Sequence, residues 1–391
     1  MIKSALWLAT GALLIGSAWF LTRPLSPHAA SVQAQRAEAE AAEPACLRRD
    51  PATPTLEAPE PPAGLGGRLG LYVAVFDPVT LRPLRAVVQD PDGQYPLASS
   101  YKQAVLYALM EQVQSGKVEL SERFDVSEAD RSLGAYPYDG SNVVTLAERM
   151  IHNSDNTATD ILHRRVGLEA VQDVADRLKL CHTRLLLPTK TWWTAQAGWG
   201  GPDFPQEDLL HAAERYATAP REQQLALARR LDERARESNA DRLSRALDRY
   251  FESDRYDPRI DLNTQNASTP FEFAQLIAHE FLAPGLEEPQ RQLFNRIMRL
   301  GFGQQLLEEK SLVFGGKGGN GWRILTMTGY YQNARGEHVV YVFMNHESPQ
   351  VYTLPETRRA FRWINAAARR LAEIPPVQQS PAPPLSAPDA P

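Results

Sequence analysis

The pattern of apolar and polar positions marks out a few strong elements. "LGLYVAVFD" at 69–77 predicts a strand, and so do "WRILTMTGYY" at 322–331 and "HVVYVFMN" at 338–345, with Asn333 and Gly336 in the turn between the last two. Val105, Leu106, Leu109, Met110 and Val113 recur at three- and four-residue steps. They predict a helix from about Ser99 to Ser115, stopped by Gly116. A final helix is predicted from about Glu356 to Ile374, with Ala360, Phe361, Ile364, Ala368 and Leu371 on one side. Strands from both chain ends with helices between them predict an antiparallel sheet packed by helices. Residues 206–255 read differently: helical, heavily charged and without glycine, their Glu and Arg forming a solvated face or, alternatively, a binding surface.

The flanks lack this pattern. Lys3 precedes the apolar run "ALWLATGALLIGSAWFL" at 5–21, which Arg23 follows, so residues 1–23 read as a signal peptide or a membrane anchor. Either one puts the body outside the cytoplasm. Residues 24–66 are rich in Ala, Glu, Gln and Pro and read as a disordered linker, and 375–391 as a Pro-rich tail. Between them lies a single body, 67–374. The net charge of −5 and the lack of a basic stripe exclude nucleic acid as the expected partner. Cys46 and Cys181 show no metal-ligand spacing and the eight histidines are scattered, so no metal or cofactor is expected. An oxidising compartment permits a Cys46–Cys181 disulfide, and two unpaired thiols are the alternative.

Three short stretches carry candidate chemistry. Ser99 and Lys102 share one face of the first turn of a helix, where the helix dipole disfavours a cation. A capping serine and a surface lysine would explain them without function. A nucleophile beside a lysine of depressed pKa would explain why the cation stands there. "MIHNSDNTATDIL" holds a polar corner, Ser154-Asp155-Asn156, between two helical segments, where Asp155 or Asn156 also serves as a cap. "VFGGKGGNGW" at 313–322 sets Lys317 among glycines just before a strand. It reads as a flexible turn, or as a strand edge that a substrate backbone can approach because no side chain intervenes.

Together and in this order the three stretches resemble the S-x-x-K, S-D-N and K-T-G set of class A β-lactamases and the wider serine penicillin-recognising superfamily. The resemblance covers about 67–374. It implies an α/β (three-layer α+β) fold, a five-stranded-type antiparallel sheet flanked by helices plus an all-helical subdomain. It implies Ser99 as the nucleophile that forms an acyl-enzyme, Lys102 as its base and Ser154 as the relay of the proton to the leaving nitrogen. Asn156 would hold the substrate's side-chain amide, and Lys317 would add charge beside Ser154 and the substrate carboxylate. Gly319 would leave room for the substrate, and the N–H groups of Ser99 and Asn320 would form the oxyanion hole. Arg323 stands near where the family often has a carboxylate-binding arginine on the next strand; an ordinary strand-end cation is the alternative.

Three departures qualify the resemblance. Lys317-Gly318-Gly319 lacks the usual middle hydroxyl, a charged hydrogen bond worth roughly 1.5 to 3 kcal/mol. The stretch 181–201, which would carry the family's deacylating glutamate, has Pro188, Thr189 and Lys190, and no carboxylate before Asp203. Residues 196–262 read as an insertion, from which Glu207 or Asp208 could in principle fold back into the site. The function expected is a periplasmic serine acyl-hydrolase acting on a β-lactam or a D-alanyl peptide, with slow deacylation. An inactive envelope binding protein on the same fold is the alternative. The substrate would be a small molecule or a peptidoglycan-type peptide, with membrane contact only through the N-terminal segment.

Overall fold

A computed structural model describes residues 46–311, 313–351 and 353–376. The apolar N-terminal run, residues 24–45 of the expected linker and the tail from 377 lie outside the described residues. No helix among the described residues is long and apolar enough to cross a membrane.

Alternating apolar positions at both ends of the body build one sheet. Its strands are β1 (Thr55–Glu57), β2 (Arg68–Phe76), β3 (Pro83–Gln89), β4 (Phe314–Gly321), β5 (Ile324–Gln332) and β6 (His338–His346). They lie in the order β1-β3-β2-β6-β5-β4, all neighbours antiparallel except β1 with β3. The two ends of the body meet at its centre, where Leu71 faces Phe343 and Val73 faces Tyr341.

Twelve helices complete the described structure. They are α1 (Lys102–Gln114), α2 (Val143–His152), α3 (Asn156–Val166), α4 (Leu168–Asp176), α5 (Thr189–Gln196), α6 (Leu209–Thr218), α7 (Arg221–Glu237), α8 (Ala240–Phe251), α9 (Pro258–Thr264), α10 (Pro270–Leu282), α11 (Glu288–Met298) and α12 (Leu354–Leu371). The strand period of two gives the sheet two apolar faces. Leu71, Val73, Tyr341 and Phe343 pack on Phe361, Trp363 and Ile364 of α12. Tyr72, Ala74, Val340 and Val342 face a larger core built on α1 and α10. The result is the three-layer arrangement expected, with a sixth strand.

Two expectations need correction, the start of the body and the segment 206–255, and one open alternative, the state of the two cysteines, is decided. The chain folds from Cys46, not from 67: β1 pairs with β3, Leu56 and Leu65 pack under α12, and Trp363 Nε1 donates to Pro59 O at 2.6 Å. An edge strand this short is held by its backbone, so its Pro-rich surroundings hide it. Cys46 and Cys181 form a disulfide, with Cα atoms 5.6 Å apart. The segment 206–255 is no dispensable solvated appendage. Leu209, Ala212 and Tyr216 of α6 and Ala228 and Leu231 of α7 lie in the main core, and Asp232 pairs with Arg164 at 2.9 Å. Its apolar stripe is narrow and made partly of alanine, which is why the charged positions dominate the pattern.

Candidate active site

Ser99 sits in a 3₁₀ turn, Ala98–Tyr101, that runs directly into α1. Neither Ser99 nor Ser100 caps the helix through its side chain. Ala98 is held at φ +45°, a left-handed conformation costly for a residue with a Cβ. The two serines are treated differently. Ser100 is buried, its Oγ donating to Lys317 O at 3.0 Å and lying 2.8 Å from Thr326 Oγ1. Ser99 is half-buried and its Oγ has no hydrogen bond among the described residues.

The Lys-Gly-Gly stretch is itself strand β4, at the sheet edge, and does not merely precede a strand. Thr328 Oγ1 donates to Lys317 O at 2.8 Å, Thr326 Oγ1 donates to Leu97 O at 3.0 Å, and Gln103 Nε2 donates to Thr328 Oγ1 at 3.1 Å. These bonds tie the Ser99 turn and α1 to β5, and β5 to Lys317, while Ser100 Oγ holds the turn to the edge strand itself. Gly319 lies against that turn: a Cβ there would stand 2.5 Å from Ser99 N and 2.9 Å from Ser100 N. Only glycine allows this approach. Thr326 and Thr328 were not singled out by sequence reasoning, although their two-residue spacing beside the lysine strand marks them as sharing one face.

Lys102 is fully buried. Its Nζ donates to Ser154 O at 2.7 Å and to Asn156 Oδ1 at 2.7 Å, with Ser154 Oγ at 3.3 Å. Burial pushes its pKa down from 10.5 to about 7, against the smaller opposing pull of Asp160 and Asp155. Lys317, also buried, donates to Ser154 Oγ at 2.9 Å. Burial, and then the charge of Lys102, hold its pKa well below the usual lysine range. Ser154 is held at φ +55°, at the corner between α2 and α3, and so sets its Oγ between two lysines. Asn156 Nδ2 donates to Leu133 O at 2.9 Å.

The carboxylates nearest in charge to Lys102 are occupied. Asp155 caps α3 through Ala158 N at 2.9 Å and takes two bonds from Arg149, at 2.8 and 2.7 Å. Asp160 receives Thr189 N, Thr189 Oγ1 and Lys190 N at 2.6, 2.8 and 2.8 Å, which fixes the start of α5. Lys190 turns to the carbonyls of Glu128 and Ala129, at 3.1 and 3.2 Å, and burial lowers its pKa to about 8.

Glu207 and Asp208 do not fold back to the motif residues. Asp208 is half-buried and bound to His211 and Arg215, and Glu207 lines a surface pocket with Trp199, Arg249 and Tyr250. Arg323 is not on the next strand: with Trp322 it forms the turn between β4 and β5, at φ +54°, its guanidinium 5.5 Å from the centre of the Tyr256 ring. Asn320 lies in β4, paired with Leu325. Among the described residues, no group of His, Cys, Asp and Glu is arranged to hold a metal ion.

Residues 66–372 match the beta-lactamase enzyme family. In fold the chain is similar to a beta-lactamase from Sphaerobacter thermophilus, at 18% identity and a TM-score of 0.53 over 80% of this chain and 94% of that one. It is also similar to an ancestral Gram-negative class A beta-lactamase (17%, TM-score 0.52, covering 78% and 95%) and to a class A beta-lactamase from Mycobacterium abscessus (14%, 0.52, covering 79% and 95%). No curated protein matches the chain's sequence.

Proposed function

Because the chain belongs to the beta-lactamase enzyme family and is a serine hydrolase of that type, we propose that it forms an acyl-enzyme on Ser99 with a β-lactam or D-alanyl-type amide and releases it slowly. The observation that carries this reading is the state of Lys102. A neutral amine has two hydrogens and one lone pair. The two short bonds, to Ser154 O and Asn156 Oδ1, use both hydrogens. The lone pair is left for a proton from the hydroxyl one helical turn away.

In the first step Ser99 Oγ attacks the amide carbon and its proton passes to Lys102 Nζ. The N–H groups of Ser99 and Asn320 receive the oxyanion. The C–N bond then breaks as the nitrogen takes a proton from Ser154 Oγ, which is resupplied by Lys102. The second hydrogen on Asn156 Nδ2 remains for the substrate's side-chain amide. Lys317 meets the substrate carboxylate, whose charge favours the protonated form that burial opposes.

The second step needs an activated water. Asp155 and Asp160 already accept the bonds that fix α3 and α5, and the stretch that by resemblance would carry the family's glutamate reads Pro188-Thr189-Lys190. On this reading the acyl-enzyme finds no free carboxylate base at these two positions. The Cys46–Cys181 bridge supports an oxidising, extracytoplasmic location.

Labelling with a fluorescent penicillin tests the reading. The wild type is expected to form a covalent adduct, Ser99→Ala none, and Lys102→Ala one formed about 10² to 10⁴ times more slowly with a retained cooperative melt. Labelling of Ser99→Ala at the wild-type rate would overturn it.

A further inference from the structure

Residues 125–140 join two short paired strands, Arg123–Phe124 and Ser141–Asn142, and form neither helix nor strand themselves. A stretch of this kind opens easily unless side chains tie it down. Here the ties come from α3 and α5. Lys190, fully buried in the first turn of α5, donates from Nζ to the carbonyls of Glu128 and Ala129, at 3.1 and 3.2 Å. The neutral amine and the ammonium both carry the hydrogens that these bonds need. Further along, Ser132 Oγ lies 3.0 Å from Thr189 Oγ1, and Ser132 N donates to Thr157 Oγ1 at 2.9 Å. The carbonyl of Leu133 then accepts from Asn156 Nδ2 at 2.9 Å.

Asn156 passes this restraint to the proposed base. A carbonyl can only accept, so Leu133 O takes the NH₂ end of the amide and leaves Oδ1 to Lys102 Nζ, 2.7 Å away. That bond and the one to Ser154 O determine where the lysine lone pair points. The circuit closes through the scaffold. Asp160, one turn after Asn156 on α3, takes Thr189 N and Lys190 N at 2.6 and 2.8 Å. The charged helical segment holds α5 from behind: Thr191 Oγ1 donates to Asp232 of α7 at 2.6 Å, and Gln196 Nε2 to Asp261 of α9 at 2.7 Å. The loop, α3 and α5 are thus joined in a ring, with Lys190 on one side and Asn156 on the other.

We infer that Lys190 is a positioning residue for acylation: it holds the carbonyls of Glu128 and Ala129 so that Leu133 O sets the amide of Asn156 and, through it, the amine of Lys102. The stretch 181–201, which lacks the glutamate that the resemblance implies, then serves the first chemical step instead of the second. The added helices serve it too, by fixing α5. The inference rests on the acyl-hydrolase reading above and deepens it.

Lys190→Met keeps an unbranched chain and removes the donors. Adduct formation on Ser99 with a fluorescent penicillin is measured for this variant, for Asn156→Ala and for the two combined. A displacement of about 1 Å at a reacting centre costs about a hundredfold, so Lys190→Met is expected to slow acylation by about ten- to a hundredfold while keeping a cooperative melt. In the Asn156→Ala background the same change should slow it less than about twofold, because the residue through which Lys190 acts is gone. Lys190→Gln, which keeps an amide donor on a shorter stem, substitutes if Lys190→Met does not melt cooperatively. A wild-type rate in the folded variant, or equal slowing in both backgrounds, overturns the positioning role alone. Absence of a Ser99 adduct in the wild type overturns the acyl-hydrolase reading and this inference with it.

Discussion

The amine nitrogen of Lys102 lies 2.7 Å from the carbonyl oxygen of Ser154, a residue held in a left-handed conformation. The strained corner turns that carbonyl towards the lysine, and burial lowers the pKa of the lysine to about 7, so that a large share of it is neutral near pH 7. The pair links a local backbone cost to the supply of a base.

The pH dependence of acylation follows from this. Lys102 acts as a base only when neutral, and its pKa is about 7. The acylation rate should rise about tenfold per pH unit below 7 and level off above it. Stability should move in the same direction. Between pH 7 and the unfolded value of 10.5 the unfolded chain holds a proton that the folded chain lacks, so this group makes stability rise with pH. Stopped-flow acylation and melts across pH 5.5 to 9 check both; a rate that falls through pH 7 would remove Lys102 as the base.

Gly319→Ala should damage the nucleophile more than the sheet. The new Cβ would meet Ser99 N at 2.5 Å, and the atom in the way is backbone, which cannot swing aside. A loss of about 1 to 3 kcal/mol in stability is expected from the overpacking. Acylation should fall by more than about a hundredfold, since a displacement of about 1 Å at a reacting centre costs that much. A variant that acylates at the wild-type rate would show that the contact relaxes without moving Ser99.

Leu231→Ala tests whether the charged helical segment belongs to the core. Leu231 is fully buried in the main cluster. Its truncation should cost about 2 to 5 kcal/mol in chemical denaturation. A cost below about 0.5 kcal/mol, the range of ordinary surface changes, would mean that α7 is an appendage after all.

If the proposed reading holds, the stretch 181–201, which has no carboxylate, predicts a stalled second step. A general base contributes about 10² to 10⁴ in rate, so its absence raises the deacylation barrier by roughly 3 to 5 kcal/mol. Intact mass measured over time should show a long-lived one-to-one penicillin adduct on Ser99. Rapid loss of the adduct with sustained ring opening would mean that another group activates the water, and Lys102 would be the first to examine.

Much of the site is legible in the sequence because its chemistry demands fixed spacing. The proposed nucleophile and base, Ser99 and Lys102, are three apart where a 3₁₀ turn runs into α1, and a polar corner must join two helices. The central strands are legible because both their faces are apolar. β4 is not: its glycines have low strand propensity, and the reason for them lies in other parts of the chain. A Cβ at Gly315 would meet Phe281 at 2.3 Å, and one at Gly319 would meet the nucleophile turn. β1 is hidden for a different reason, since its pairing with β3 and the single side chain of Leu56 hold it, too little to show as a pattern. The stack of Phe251 on Trp322 joins residues far apart in sequence, and no local pattern relates them.

The bridge between Cys46 and Cys181 also determines how the body would respond to a pull. Tension arriving along the chain ahead of Cys46 passes through the two sulfurs into the loop after α4. Residues 47–66 lie on the slack side of that bond. β1 and the Pro59 contact with Trp363 would carry no load. The sheet edge is in this way mechanically insulated from anything to which the preceding chain is attached. Reduction of the bridge would reroute the same tension through β1, which would peel from β3 one hydrogen bond at a time.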